Sequence, residues 1–320
     1  YEHCVRWVRA GHDITVITGA PNVPDGVVYE GYQNRLWPQT ETVDGIRVIR
    51  VWTFVAANAG GMKRILNYVS YMISAIFAFV VLCRRPRVIV ATSPQFFCGW
   101  AGLISSYVKW TKFVLEIRDI WPESIVTVGA MKKGWLVWML ERLEVLMYRS
   151  ANHIVAVGEG YKQNILSKAN VGDRISVVTN GVDPDQFKPR DRDLQFRQEF
   201  GLGDKFVCSY VGTIGMAHGL DVTIRAAELL RDMGRNDIVF CNVGDGARKN
   251  ELAGIVRENE LELWVVFTGR LPKSEMPRVL ASSDCQLVHL KGTELFQTVI
   301  PSKIFEAMAM MRPIVMGVMG

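Results

Sequence analysis

The residues best suited to chemistry fall together in Pro301-Ser302-Lys303-Ile304-Phe305-Glu306-Ala307-Met308-Ala309. Proline belongs in a helical first turn, because its missing N–H would have no intrahelical partner there. Ser302 is placed to cap, and the N–H groups of Ser302, Lys303 and Ile304 are then expected to point out of the helix. Such an end attracts phosphate through bare donors and the macrodipole, and Lys303 adds a full charge. Glu306, one turn in, only accepts hydrogen bonds when ionised, which suits sugar hydroxyls better than phosphate. The segment reads either as a tip for a diphosphate with a ribose on its flank, or as an ordinary amphipathic helix burying Ile304, Phe305 and Met308.

Positioning such a segment takes a strand before it, and Cys285 to Leu290 is apolar enough to be one. The same strand–loop–helix rhythm runs along most of the chain and predicts α/β units with parallel sheets. Asp13 to Thr18, Ile46 to Trp52, Arg87 to Thr92, Phe113 to Ile117, His153 to Val157 and Ile175 to Val178 read as strands of a first domain, residues 1–183. Residues 22–45 read as a long loop. Arg118-Asp119 lies just past a strand, where parallel sheets form sites; the two residues can equally pair with each other. Residues 184–204 are charged and carry two prolines, and read as a linker with a peripheral helix. A second domain, 205–320, restarts at Phe206 to Val211, with Gly212-Thr213-Ile214-Gly215 as a tight loop. Its next helix is expected to be capped by Asp221. Strands ending in Gly244-Asp245-Gly246 and Gly269-Arg270 follow. Gly212 and Gly215 either let a phosphate approach the backbone or simply make a turn. Tyr1 to Ala10 looks like the back half of a helix, and the chain reads as a piece lacking both ends.

Composition narrows the classes. The net charge of +5, from 37 basic and 32 acidic residues, is dispersed, which argues against nucleic acid. A modest scattered positive charge beside apolar segments suits an anionic membrane surface better. Six cysteines without paired spacing, mostly in apolar runs, read as reduced thiols of a cytoplasmic protein. No HxxxH or CxxC spacing predicts a metal site, and no cofactor is expected. Gly244-Asp245-Gly246 lacks the third glycine of a dinucleotide fingerprint. Ile65 to Cys83, flanked by Lys63-Arg64 and Arg84-Arg85, reads as a buried or interfacial helix or as a membrane span.

The order of these segments is more specific than any one of them. Asn180-Gly-Val-Asp183, Tyr210-Val-Gly-Thr-Ile-Gly215, Val243-Gly-Asp-Gly246, Phe267-Thr-Gly-Arg270 and the 301–309 helix together resemble the family-4 retaining glycosyltransferases of GT-B fold. Tyr32 to Trp52 and Arg118 to Ser124 look like the subgroup that makes bacterial capsule, colanic-acid and O-antigen sugars. The resemblance implies two Rossmann-like domains facing across a cleft. It implies a nucleotide-sugar donor, usually UDP-linked, and a lipid-linked or saccharide acceptor at the inner membrane face. By position, Glu306 would hold the ribose. Ser302, Lys303 and Ile304 would meet the diphosphate, Gly215 would lie in the phosphate-side glycine loop, and Gly212 and Gly244 would also bind the donor. Arg270 and Leu271 would hold the base, and Arg118 and Asp119 would face the donor sugar.

Two positions depart from the family pattern. Thr298 stands where many relatives have a second glutamate, and Thr213 and His218 stand where many have Arg and Lys. Glu294, Lys303 and Arg270 are the residues expected to supply the missing contacts. Without a carboxylate pair for double displacement, the expected mechanism is front-side attack. A sugar-nucleotide 2-epimerase of the same fold, and a noncatalytic nucleotide-sugar-binding subunit, are the competing readings.

Overall fold

Apolar strands separated by helices pair in parallel, because each crossover lays its helix on a sheet face. The computed structural model describes all residues except 23–25, 57–60, 94, 128, 130, 133, 294–295, 297–298 and 318–320. The chain forms two compact units, Tyr1–Val126 with Met131–Val178, and Thr127–Ala130 with Thr179–Gly320.

The first unit runs α1 (Glu2–Arg9), β1 (Thr15–Gly19), β2 (Gln39–Val43), β3 (Ile46–Val51), α2 (Gly61–Leu82), β4 (Val88–Thr92), α3 (Phe96–Val108), β5 (Lys112–Ile117), α4 (Glu123–Thr127), α5 (Trp135–Ser150), β6 (His153–Ala156), α6 (Glu159–Lys168) and β7 (Ile175–Val177). Its strands form two sheets rather than the single one the sequence suggests, in the orders β1-β3-β2 and β4-β5-β6-β7. Among the described residues β1 pairs only with β3 and β4 only with β5. Part of the expected long loop is strand β2, antiparallel to β3 through Asp44-Gly45. Both turn residues have positive φ, 49° and 77°, as the two-residue turns that match strand twist require. β2 is nearly all exposed and polar, so no apolar alternation marks it in the sequence. Helix α2 rests Ala78 on Ile49 and Val51 of β3 and buries Ala75 and Phe79 beside it. Its Tyr71 hydroxyl donates to the Ile17 carbonyl at 2.9 Å.

The second unit runs α7 (Leu194–Glu199), β8 (Phe206–Val211), α8 (Asp221–Asp232), β9 (Ile238–Val243), α9 (Lys249–Glu258), β10 (Val265–Gly269), a short 3₁₀ turn, α10 (Met276–Ala281), β11 (Cys285–His289), α11 (Lys303–Ala309) and β12 (Ile314–Gly317). All five strands are parallel, in the order β10-β9-β8-β11-β12. The first strand, β8, therefore lies in the middle. The chain winds outward through β9 and β10, then returns to β11 on the other side. Residues 184–204, expected as a linker, belong to this unit. Phe187, Phe196 and Leu202 bury themselves with Val207, Val211 and Val243. Arg197, 2% exposed, meets Asp284 at 2.6 Å and donates to the carbonyls of Ser282, Gly203 and Lys205. Asp221 does not cap α8: it sits inside the first turn and takes a two-pronged pair from Arg248 at 2.7 and 2.8 Å.

Candidate functional site

Doubly wound sheets bind ligands at the carboxyl ends of strands where winding reverses. In the second unit that point lies between β8 and β11. The turn leaving β8 is laced to its neighbours: Gly212 N–H donates to the Val243 carbonyl at 2.9 Å, and Ile214 N–H to Asp245 at 2.9 Å. The next step repeats the pattern, with Gly244 N–H on the Gly269 carbonyl at 2.9 Å. Two glycines permit the nesting. A Cβ on Gly244 (φ 141°) would stand 2.0 Å from the Gly212 oxygen, and one on Gly246 (φ 157°) 2.5 Å from the Ile214 oxygen. Gly215 is different. A Cβ there would find only ordinary contacts at 3.5 Å, so packing does not require its glycine.

Helix α11 brings Lys303 to this turn. The ammonium is buried 3.9 Å from the centre of the Tyr210 ring and beside Gly212. Tyr210 is itself fully buried and anchored by its hydroxyl, which donates to the Thr213 carbonyl at 2.8 Å. Lys303 Nζ has no hydrogen-bond partner among the described residues. Burial pulls its pKa down to about 8, against the opposing pull of Glu306 one turn on. An aromatic face attracts a cation without neutralising it, so the charge stays available. The ammonium is the unpaired donor that a bound anion would satisfy.

His218 completes the cluster. Its ring stands edge-on to Tyr210 at 5.8 Å, and its buried Nδ1 has no partner among the described residues. Burial first, then Lys303 and His289, hold its pKa down to about 4. The His218 carbonyl accepts from His289 Nδ1–H at 2.6 Å, which seats the 215–219 loop on β11. Thr213 and His218 were noted in the sequence only as departures from the family pattern. Neither the ring of Tyr210 nor the proximity of His218 to Lys303 was legible, since 93 and 85 residues separate them from Lys303.

The helix start differs from expectation. Ile304 N–H is taken by the Pro301 carbonyl at 3.1 Å, so it is not an open donor. Ser302 occupies the cap position but makes no side-chain cap. With 7 residues, α11 has a short dipole, and the positive field here comes from Lys303. Glu306 lies on the same helix flank. Arg270, exposed, and Leu271, half-buried against the core, follow β10, two strands from β8 and so about 10 Å along the sheet. Glu294 and Thr298 lie outside the described residues.

In the first unit, Arg118 pairs with Glu116 at 3.7 Å rather than with Asp119. Asp119 accepts from Ser124 Oγ at 3.1 Å, and burial raises its pKa against that bond. Ser93 Oγ holds the turn by donating to the Asp119 carbonyl at 3.0 Å.

The chain is similar to known proteins in both sequence and fold. Residues 1–181 match the family described as "Glycosyl transferase 4-like domain", and residues 205–320 match "Glycosyl transferases group 1". The chain is 26% identical over 314 residues to the putative colanic acid biosynthesis glycosyl transferase WcaI of Escherichia coli, covering 95% of this chain and 75% of that one. It is 29% identical over 213 residues to the probable glycosyltransferase WbjE of Pseudomonas aeruginosa, covering 65% of this chain and half (51%) of that one. The Anabaena HepE structure in complex with UDP-glucose superposes with a TM-score of 0.65 at 16% identity, covering 95% and 80% of the two chains.

Proposed function

We propose that this chain, which belongs to the glycosyl transferase 4-like family and has the GT-B fold, moves a sugar from a nucleotide-sugar, UDP-linked, to a lipid-linked or saccharide acceptor in bacterial surface polysaccharide synthesis. The observation that carries this reading is the buried, unpaired ammonium of Lys303 at the reversal point of a parallel sheet. A diphosphate set against Gly212 and Gly215 would satisfy it. Gly215 would leave room for the phosphate oxygens, and Glu306 would accept from the ribose hydroxyls. Arg270 and Leu271, two strands away, would hold the base.

The chemistry then follows from charge. Breaking the anomeric C–O bond leaves a nucleoside diphosphate bearing new negative charge, and Lys303 stands where that charge appears. Preorganised donors of this kind lower a barrier by about 3 kcal/mol each. With no carboxylate pair proposed for a covalent intermediate, the acceptor hydroxyl attacks from the face the diphosphate leaves and gives its proton to the departing phosphate oxygen, and configuration is retained. Arg118 and Asp119 are proposed to line the sugar side. The protein is cytoplasmic and rests on the inner membrane, where a lipid-borne acceptor would be presented.

The test is UDP binding by calorimetry with the full chain and with Lys303→Ala. Binding that weakens at least tenfold in the variant supports the reading, and unchanged binding removes it. Sugar transfer from UDP-sugars to membrane extracts, with the product's anomeric configuration read by NMR, tests the reaction. UDP binding without any transfer would turn the reading towards a noncatalytic subunit.

A further inference from the structure

A helix that is apolar all round is ordinarily buried or in lipid. Helix α2 is apolar over most of its surface, with Asn67, Ser70 and Ser74 along one flank, and it is covered on its inner side but not on its outer one. Its inner side buries Ala75, Ala78 and Phe79, Ala78 against Ile49 and Val51 of the sheet. Its outer side presents Leu66, Ile73, Phe77, Val80 and Val81, each between 43% and 60% exposed. At 100° per residue these five fall within an arc of about 100°, a stripe along the helix interrupted by Ser70, whose hydroxyl donates to the Asn67 carbonyl and accepts from the Phe54 N–H. The α2 sequence contains no acidic residue.

The surroundings of the stripe are equally one-sided. Trp37, 63% exposed, sets its ring edge-on to Phe77 at 5.9 Å. Lys63 is exposed near the start of the helix, and Arg84, Arg85 and Arg87 are exposed just past its end. Arg85 donates to the carbonyl of Trp110, which brings the basic end beside a second indole. Trp110 is 84% exposed and has a φ of 50°, a left-handed conformation that glycine takes freely and a tryptophan does not. Apolar stripe, flanking indoles and terminal cations are what a bilayer surface matches layer by layer: acyl chains, headgroup level and lipid phosphates.

We propose that the outer side of α2 docks on an anionic lipid bilayer, lying in its surface plane. The stripe dips to the headgroup boundary, Trp37 and Trp110 sit at headgroup level, and Arg84, Arg85 and Arg87 face lipid phosphates. Length and a mean hydropathy of 2.1 over Lys63–Leu82 would allow a crossing. The inner side's commitment to β3 favours the surface position instead, because crossing would strip Ala78 and Phe79 from the core. The inference rests on the reading of a membrane-resident acceptor and assigns it a surface.

The experiment is co-sedimentation of the full chain with vesicles of phosphatidylcholine alone and of two parts phosphatidylcholine to one part phosphatidylglycerol. Wild type is expected to bind the anionic vesicles. Ile73→Asp with Phe77→Asp should weaken binding about tenfold or more. Arg84→Ala with Arg87→Ala should weaken it about fivefold per charge on anionic vesicles only. Trp110→Gly guards against misfolding: it relieves the left-handed strain, so its unfolding midpoint should hold or rise while vesicle binding falls. UDP binding, measured in parallel, belongs to the other unit. A chain that binds vesicles but ignores UDP leaves this surface standing and fails the donor-site reading. The proposal is overturned if wild type stays in the supernatant, or if all variants sediment like wild type. Resistance of membrane-bound protein to alkaline carbonate overturns it in favour of a span. A wild-type dimer dissolved by Phe77→Asp overturns it in favour of a second copy.

Discussion

Lys303→Met separates the cost of the buried ammonium from its use. The pKa of Lys303 falls from 10.5 to about 8, and each unit is worth about 1.4 kcal/mol. Burying the charge therefore costs on the order of 3 kcal/mol at neutral pH, offset in part by about 1 to 2 kcal/mol of attraction to the Tyr210 ring. The unfolded chain binds more protons than the folded one between pH 8 and 10.5, so stability should rise with pH across that window and be flat below it. Lys303→Met should stabilise the ligand-free protein by about 1 to 2 kcal/mol at neutral pH, read from urea midpoints, and should abolish that rise. A diphosphate beside the ammonium restores its pKa upwards. UDP affinity should then be level from about pH 7 to 8 and weaken approaching tenfold per unit above that. Calorimetry in two buffers of different ionisation enthalpy should find uptake of about 0.9 proton per UDP at pH 9 and about 0.1 at pH 7. The variant should bind UDP about 13- to 150-fold more weakly, the worth of one charge-assisted hydrogen bond, with no such pH dependence. No proton uptake at pH 9, with unchanged affinity in Lys303→Met, would refute the placement of the diphosphate at this ammonium.

Gly244→Ala forces a methyl to 2.0 Å from the Gly212 oxygen and should cost at least about 3 kcal/mol in denaturant unfolding. Gly215→Ala, with room for its methyl, should change stability by less than about 0.5 kcal/mol yet weaken UDP binding, because the methyl would stand where the phosphate oxygens are proposed to approach. Asp284→Ala strands the buried Arg197 guanidinium and should destabilise the second unit by about 3 to 5 kcal/mol, measured by urea denaturation. His218, held near pKa 4, should charge more readily beside a diphosphate. UDP affinity relative to a His218→Gln variant should therefore rise as pH drops towards 5, and parallel profiles would exclude His218 from the site.

What was legible in the sequence was what is local. Strands ending in glycine and the helix after Pro301 declare themselves within ten residues, and the family resemblance placed them in order. The inward turn of Lys303 was not legible, because it depends on a ring contributed by β8. Asp221 looked like a cap because a carboxylate at a helix start usually is one, but Arg248 is a stronger partner than a backbone N–H. Phe187, Phe196 and Leu202 are too sparse among charges to signal a core, so their segment resembled a linker until β8 and β9 supplied the surface they cover. Asp44-Gly45 did carry a hairpin signal. Its partner strand is polar on both faces, which hid it.

The stepwise lacing of Gly212 to Val243 and of Gly244 to Gly269 makes the three strand ends a relay rather than three separate perches. A displacement of the first turn by a few tenths of an ångström strains the bond to the second, and the second pulls on the third. Whatever settles against Gly212 therefore stiffens the ground around Arg270, and two halves of a ligand offered as separate molecules should each find the sheet better prepared when the other is already there.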